Sequence, residues 1–397
     1  MVKRIIACIL LFLLILSGCG KKQKNTDTAR NVSLKNSSIE NTMSKENNNV
    51  MPLEVSMKGV WPYVHVKTFD ALLPDGRAWA LVTVSDDGYF VIDAPAQKGK
   101  KEEILLYNLN NNTYEHIAYC PDEAQAVHAD INKKWVAWSE AMDQSFAIWR
   151  IHIYDRSKHE DKVIYSSLKD SNGDGYYSPD QQPRLYSDLV VWSPAVGTRT
   201  AVGPTVTIKK YDIIENKITD VVKQGINPVQ TDNYLIWMGK DSIDSKNPSS
   251  ALYWNKNGKI QQITKNITVE GFATDGKSIV WTGYISGNPN CTIGLIENNK
   301  ERYLLTTDEA NAQQFLWMGS RIIAWRSYDI VRVYDRKLDR IVVLEDEDAE
   351  YTNVITSNRY LCWTVPIIKD EVQRMKEAKK IGIVADKINI IDLNDLK

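Results

Sequence analysis

The chain is poor in the residues from which recognisable chemistry is built. Its 397 residues include five histidines and five cysteines. His65, His116, His128, His152 and His159 are scattered. His65, His116 and His152 fall in strand-like segments, where a single packed or exposed histidine is the ordinary case. Cys8 and Cys19 lie at the N-terminal end, and Cys120, Cys291 and Cys362 are widely spaced and odd in number. No Cys-x-x-Cys or Cys/His zinc spacing occurs, so neither a disulfide framework nor a structural zinc is indicated. There is no Gly-x-Ser-x-Gly, no His-Glu-x-x-His and no phosphate-cradling Gly-rich loop. Acidic pairs such as Glu140 and Asp143 have the groups glycoside hydrolysis requires. A chain with 25% charged residues produces such pairs by chance. Charge of one sign is also lacking. Forty-nine basic residues face 50 acidic ones, a net charge of −1, with no clustered basic face to hold a nucleic acid.

What is present begins at the N-terminus. Lys3-Arg4 precedes an apolar run from Ile5 to Leu16 and then Ser17-Gly18-Cys19. A positive start with a short apolar core reads as a secretory signal, because a membrane span needs about 20 apolar residues. Leu16-Ser17-Gly18-Cys19 resembles the bacterial lipobox. That resemblance implies cleavage before Cys19, lipidation of Cys19, and a protein held on the outer face of the cell membrane by a lipid anchor. Two or more acyl chains anchor stably where a single one does not. Gly20 to Asn49 is almost devoid of apolar residues and cannot bury enough surface to offset chain entropy. Residues 1–19 are thus read as the leader, 20–59 as a disordered tether and 60–397 as one folded domain.

Within that domain one pattern recurs seven times. An apolar stretch ends in an aromatic or aliphatic residue followed by Asp, Asn or Glu. The copies are Tyr107-Asn108, Tyr154-Asp155, Tyr211-Asp212, Trp254-Asn255, Ile296-Glu297, Tyr334-Asp335 and Ile391-Asp392. Six intervals carry a second marker, apolar residues ending in Trp138, Trp192, Trp237, Trp281, Trp325 or Trp363. Self-similarity every 40–50 residues or so in strand-like segments is the signature of a β-propeller. Each repeat reads as strands a to d, with the Trp on strand b and the Tyr-Asp marker ending strand c. One Trp per blade fills the wedge between twisted sheets, and the Asx opens the c–d turn.

Asp275-Gly276 is the strongest a–b hairpin signal. Pro74-Asp75-Gly76-Arg77 reads as its blade 1 counterpart, which places Leu81 in register with Trp281. The chain ends just after the seventh strand c, so Val60–Lys67 is expected to supply that blade's missing strand. Closure would remove the open sheet edges. The expected fold is an all-β, seven-bladed propeller of four-stranded antiparallel blades, closed by an N-terminal strand, with a short helix at Lys369–Lys380. The polarity of that segment, acidic first and basic last, suits a helix dipole.

Thr274–Trp281, Gln182–Trp192 and Val333–Arg340 resemble TolB-type propeller repeats. The resemblance covers nearly all of Val60–Lys397 and implies the fold. That family includes scaffolds, enzyme domains and surface proteins, so no single activity is implied.

The connections are uneven. Glu140–Trp149, Ala195–Pro204, Lys240–Ser250 and Pro366–Lys387 (b–c) and Leu168–Gln182 (d–a) are long, and all leave from one rim. Long loops on a rigid scaffold are where binding residues concentrate. Residues just after strand b are therefore the candidate ligand contacts: Glu140, Asp143, Arg199, Lys240, Asp241, Tyr284, Arg326, Tyr328 and Asp329. Mixed charge with two tyrosines suits a polar ligand or a protein surface. In the d–a connection, Asp170, Asn172 and Asp174 alternate before Gly175, like the first half of a calcium loop. Tyr176 would add its carbonyl and Ser178 or Asp180 would complete the shell, with Gln181 where an EF-hand has Glu. A bound calcium there would be structural. Two functional readings remain. One is a non-catalytic, membrane-tethered module binding a protein, peptide or cell-wall glycan. The other is an extracytoplasmic polysaccharide lyase or glycosidase working at the propeller mouth.

Overall fold

A computed structural model describes residues 51–97, 99–121, 125–142, 147–169, 182–200, 203–240, 250–307, 314–327, 330–345, 353–368, 370, 373–374, 376–377 and 384–396. Seven antiparallel sheets follow one another along the chain, each in the order a-b-c-d. Blade 1 is Ala80–Val84, Tyr89–Ala94, Glu103–Asn108 and Thr113–Tyr119, and blade 2 is Gln125–Ile131, Trp135–Ala141, Trp149–Asp155 and Glu160–Ser166. Blade 3 is Arg184–Tyr186, Leu189–Trp192, Gly203–Asp212 and Lys217–Lys223, and blade 4 is Gly225–Gln230, Leu235–Lys240, Ser250–Lys256 and Lys259–Gln262. Blade 5 is Ile267–Thr274, Ser278–Ile285, Cys291–Glu297 and Lys300–Thr307, and blade 6 is Gln314–Met318, Ile322–Ser327, Ile330–Asp335 and Arg340–Glu345. Blade 7 takes Val354–Thr356, Tyr360–Pro366 and Asp386–Asp392 from the C-terminal end and Lys67–Asp70 from the N-terminal end. Strand a of blade 7 meets strand a of blade 1, which closes the ring.

The closing strand is not the one expected. Lys67–Asp70, rather than Val60–Lys67, pairs with strand c of blade 7, with Lys67 opposite Ile390. The residues before it are ordered too, where the tether was expected to run to residue 59. Leu53–Ser56 lies parallel to strand d of blade 6 as a fifth strand, Met57–Val60 is one helical turn, and Trp61 is buried between blades 6 and 7. Unlike the polar stretch before it, this segment carries Leu53, Val55, Met57, Val60 and Trp61, and an open strand edge and an apolar wedge receive them.

Blade 1 also differs. Leu81 lies in strand a, and the a–b turn is Ser85–Gly88, so Ile92 takes the position of Trp281. Pro74-Asp75-Gly76 instead forms a turn between blades 7 and 1, bracketed by the Leu72–Ala78 bridge. Both turns carry Asp-Gly, and local sequence does not distinguish them. The b–c connection of blade 3 is itself paired: Ala195–Thr200 folds back on the start of strand c, with Arg199 opposite Pro204. Of the helix expected at Lys369–Lys380, Gln373–Arg374 and Lys376–Glu377 are helical, and Asp370 Oδ1 accepts the Gln373 N–H at 2.7 Å.

The core is divided into one apolar cluster per wedge, seven in all. In six of them the repeat Trp of one blade packs against the preceding blade, as Trp281 does against Ile236 and Leu252. Opposite Trp281 on strand c stands Gly294, where an added Cβ would overlap the indole. In blade 1 the same cross-strand pair is Ile92 and Leu105. In blade 5 the glycine makes room for the indole, and in blade 1 two aliphatic side chains share the same space.

The Tyr-Asx marker is explained by its turn. Asp155, Asp212 and Asp335 each accept two backbone N–H groups of the turn they open. Five residues after the Tyr comes a residue in the left-handed region, Asn112, His159, Asn216 or Asp339. Each is hydrogen-bonded to the Tyr hydroxyl, at 2.8, 3.1, 2.8 and 2.7 Å. Short polar side chains tolerate that backbone best, so the tyrosine both packs in the wedge and pins the turn.

Candidate functional site

The two rims are built differently. On the rim of the a–b and c–d turns, polar contacts link each blade to the next. Arg156 reaches Asp87 at 3.0 Å, Trp135 Nε1 donates to Asp188 at 2.8 Å, and the Tyr186 hydroxyl donates to Asp232. The Tyr234 hydroxyl donates to Gly276 O at 3.1 Å, Arg336 pairs with Asp275 at 2.6 Å, and Ser320 N–H donates to Asn358 at 3.0 Å. Asn358 N–H then donates to Asp86 at 2.7 Å. These seven links make a closed girdle. A cavity of about 330 Å3 on this rim is lined by Tyr89, Glu115, Trp135, Arg156 and His159, among others. Arg156 stacks on Tyr89 at 4.2 Å and His159 pairs with Glu115 at 2.7 Å, so these charges are committed to holding blades 1 and 2 together.

Five of the expected ligand contacts are among the described residues. Glu140, Lys240, Tyr284 and Arg326 end strands b of blades 2, 4, 5 and 6, and Arg199 lies on the blade 3 hairpin. Asp143, Asp241, Tyr328 and Asp329 lie outside the described residues, as do Cys19 and Asp170, Asn172, Asp174, Tyr176, Ser178 and Asp180. Among the described residues no cluster of metal-ligating side chains occurs.

Glu140 does not face the rim. It is 3% exposed, and its carboxylate lies 3.3 Å from His152 Nε2, while Asp161 lies 3.1 Å from His152 Nδ1. The imidazole stacks on Trp138 at 4.7 Å. Burial disfavours the imidazolium, but hydrogen bonds to Asp161 and Glu140 outweigh it and raise the His152 pKa to about 9. A charged histidine clamped between two carboxylates is a structural tie across strands b, c and d. The alternation of strand b placed Glu140 on this side, and nothing in its local sequence signals the partner.

The innermost strand departs from the repeat in two blades. One inner-strand position in every blade pairs with the residue before the Trp. It holds Thr83, Val229, Ala273, Trp317 and Ile355 in blades 1, 4, 5, 6 and 7. In blades 2 and 3 it holds Asp130 and Arg184. Asp130 accepts the backbone N–H groups of Leu185 at 2.8 Å and Ile131 at 2.9 Å. Burial raises its pKa, opposed by Arg184 and those two amides. His128, two residues before Asp130 on the strand, is half-buried among its neighbours. That burial, with Arg184 adding to it, lowers its pKa to about 4, so the imidazole is neutral at physiological pH. Inner strands bulge beside this layer, and in blade 5 the bulged residue is Glu270. Glu270 is exposed, and burial of its surroundings raises its carboxyl pKa. Bulges beside a site re-aim side chains. At the top of blade 1, the half-buried Asp93 is raised well above the usual carboxylate range by burial and by Glu102. Asp93, His128, Asp130, Arg184 and Glu270 were all missed from sequence. The available signal was charge at apolar-period positions, of strand b for Asp93 and of strand a for the others.

No family model matches the chain, and no curated protein matches it. Solved structures match in fold. Oligogalacturonate lyase from Vibrio parahaemolyticus aligns with a TM-score of 0.56 at 11% identity, over 83% of this chain and 97% of that one. The β-propeller domain of the trilobed protease from Pyrococcus furiosus gives 0.51 at 12% identity, over 72% and 91%. TolB from Acinetobacter baumannii gives 0.39 at 13% identity, over 62% and 60%. The chain is a seven-bladed propeller, as the repeats implied, and at these identities the likeness is one of fold.

Proposed function

We propose that this chain is a lipid-anchored, extracytoplasmic propeller that binds an anionic ligand, a cell-wall glycan or peptide, at its channel without transforming it. The observation that carries this reading is the Asp130–Arg184 pair, where two adjacent blades place charges at a position the other blades fill with apolar residues or Thr83. Departures from a structural repeat mark functional positions, because they cost stability that the repeat would otherwise supply. The girdle commits the turn rim to holding blades together, which leaves the channel and the loop-bearing rim for recognition. Arg184 supplies a planar guanidinium suited to a carboxylate, and Asp130 and neutral His128 supply acceptors for hydroxyl or amide donors.

The lyase reading has one observation in its favour. Abstraction of a proton beside a carboxylate needs a neutral base near a cation, and His128 and Arg184 are of those kinds. An imidazole with a pKa of about 4 is nevertheless a weak base at neutral pH, far from the value that general-base catalysis favours. Binding is the better reading.

Calorimetry with oligogalacturonate and with peptidoglycan fragments, followed by ultraviolet absorbance of the same mixtures, tests both. Binding of one probe that is weakened at least tenfold in Arg184→Ala, with no change in absorbance, supports the binding module. Growth of an unsaturated product would establish the lyase. Absence of binding to either probe overturns the anionic-ligand reading.

A further inference from the structure

The N-terminal segment enters the fold on a particular side. Leu53–Ser56 runs parallel to strand d of blade 6, with Leu53 opposite Arg340 and Ser56 opposite Val343. Strand d leaves the c–d turn at Arg340, so the chain arrives at the turn rim and climbs away from it. Trp61 holds the segment there, donating its indole N–H to Asp335 at 3.1 Å, and Arg321 pairs with the same carboxylate at 3.1 Å. The chain then rises again from the turn rim through Lys67–Asp70. Residues 51–67 therefore border the rim opposite the long connections.

This segment exposes a group of large apolar side chains close together in sequence. Tyr63 is 95% exposed, Leu53 65% and Met51 46%. Lys58, His65 and Lys67 beside them are also exposed. A tyrosine and aliphatic chains with flanking lysines are the groups that rest at the headgroup level of a bilayer. We infer that residues 51–67 seat on a lipid surface, with the turn rim toward the membrane and the loop-bearing rim away from it. The inference rests on the reading of Cys19 as a lipid anchor. The fifty residues that precede Met51, Cys19 among them, lead covalently into this segment. Linkage confines the domain near the bilayer at about millimolar effective concentration, so a patch of a few side chains suffices where it would not in free solution.

The test separates the patch from the anchor. A chain beginning at Gly20, with an N-terminal hexahistidine, is held on vesicles of phosphatidylcholine, phosphatidylglycerol and a nickel-chelating lipid. A dye is placed on the turn rim by Lys300→Cys or on the opposite rim by Ser286→Cys, and energy transfer to a headgroup acceptor is measured. Transfer at least twofold stronger from position 300 is expected, falling to equality when Leu53→Ser and Tyr63→Ser are introduced. Equal transfer in the parent chain, stronger transfer from 286, or a difference that survives the two substitutions overturns the inference. Cys19 modification is read separately from the mass of the processed full-length chain. An unmodified Cys19 overturns the anchor reading whatever the vesicles show.

Discussion

Asn358 donates its backbone N–H to Asp86 at 2.7 Å and its side-chain amide to the same carboxylate at 3.0 Å. The two residues belong to blades 7 and 1, and this contact is the last link of the girdle. Both side chains are exposed, so each hydrogen bond is expected to contribute about 1 kcal/mol. Asp86→Ala and Asn358→Ala should each lower unfolding stability by about that amount. The double variant should cost less than the sum of the two, because the bond between the Asn358 amide and Asp86 is lost in both. Urea unfolding of the four proteins measures the coupling, and strictly additive losses would show that the seam is held by apolar packing instead.

The compensating volumes on strands b and c make a second cycle. Gly294→Leu forces a side chain into the space of the Trp281 indole and should destabilise by about 1–3 kcal/mol. Trp281→Ile alone empties a fully buried site and leaves Glu301 without its indole donor, at about 3 kcal/mol or more. Together they recreate the Ile92–Leu105 pair of blade 1 and should cost clearly less than the sum. A double variant as unstable as the sum of the singles would refute volume exchange between these positions.

His152 and His128 give stability opposite pH limbs. His152 titrates at about 9 when folded and near 6.5 when unfolded. Its contribution is fully present below pH 6.5 and is lost as pH rises through about 9, on the order of 2–3 kcal/mol. His128 titrates at about 4 when folded, so the unfolded chain binds the extra proton first and stability falls as pH drops from about 6.5 toward 4. Thermal melts across pH should show both limbs. His152→Gln should flatten the alkaline limb and leave the acid one. An alkaline limb unchanged in His152→Gln would contradict the assignment.

Processing tests the reading of Leu16-Ser17-Gly18-Cys19 as a lipobox. The wild-type chain should be cleaved before Cys19 and float with membranes, and Cys19→Ala should accumulate uncleaved or be released. Identical behaviour of the two chains in a flotation gradient excludes the anchor.

The Asp170–Asp180 segment is expected to make the melting temperature rise with the logarithm of free calcium, since an ion that binds only the folded state stabilises it by mass action. Asp170→Ala with Asp174→Ala should remove that dependence. A melting temperature unmoved between chelator and millimolar calcium rules the ion out.

Sequence by itself determined the architecture, because the signals are local. The Trp before strand c, in six blades, and the Asx bonded to the turn it opens sit at fixed positions within the blade, and recur wherever that blade recurs. Blade 1 was misread because two Asp-Gly turns lie close together, and only pairing of Tyr89–Ala94 with Glu103–Asn108 selects one. Tertiary structure alone decided what the polar groups do. Both faces of a blade are buried between neighbours, so alternation along strand b could not say whether Glu140 opens to the rim or closes on His152. Asp130 and Arg184 lie in different repeats, and they become neighbours only because strand a of blade 2 meets strand a of blade 3 around a closed ring. Residues 53–56 and 67–70 pair with edges left open by strand d of blade 6 and by the three C-terminal strands of blade 7, which lie far from them in sequence.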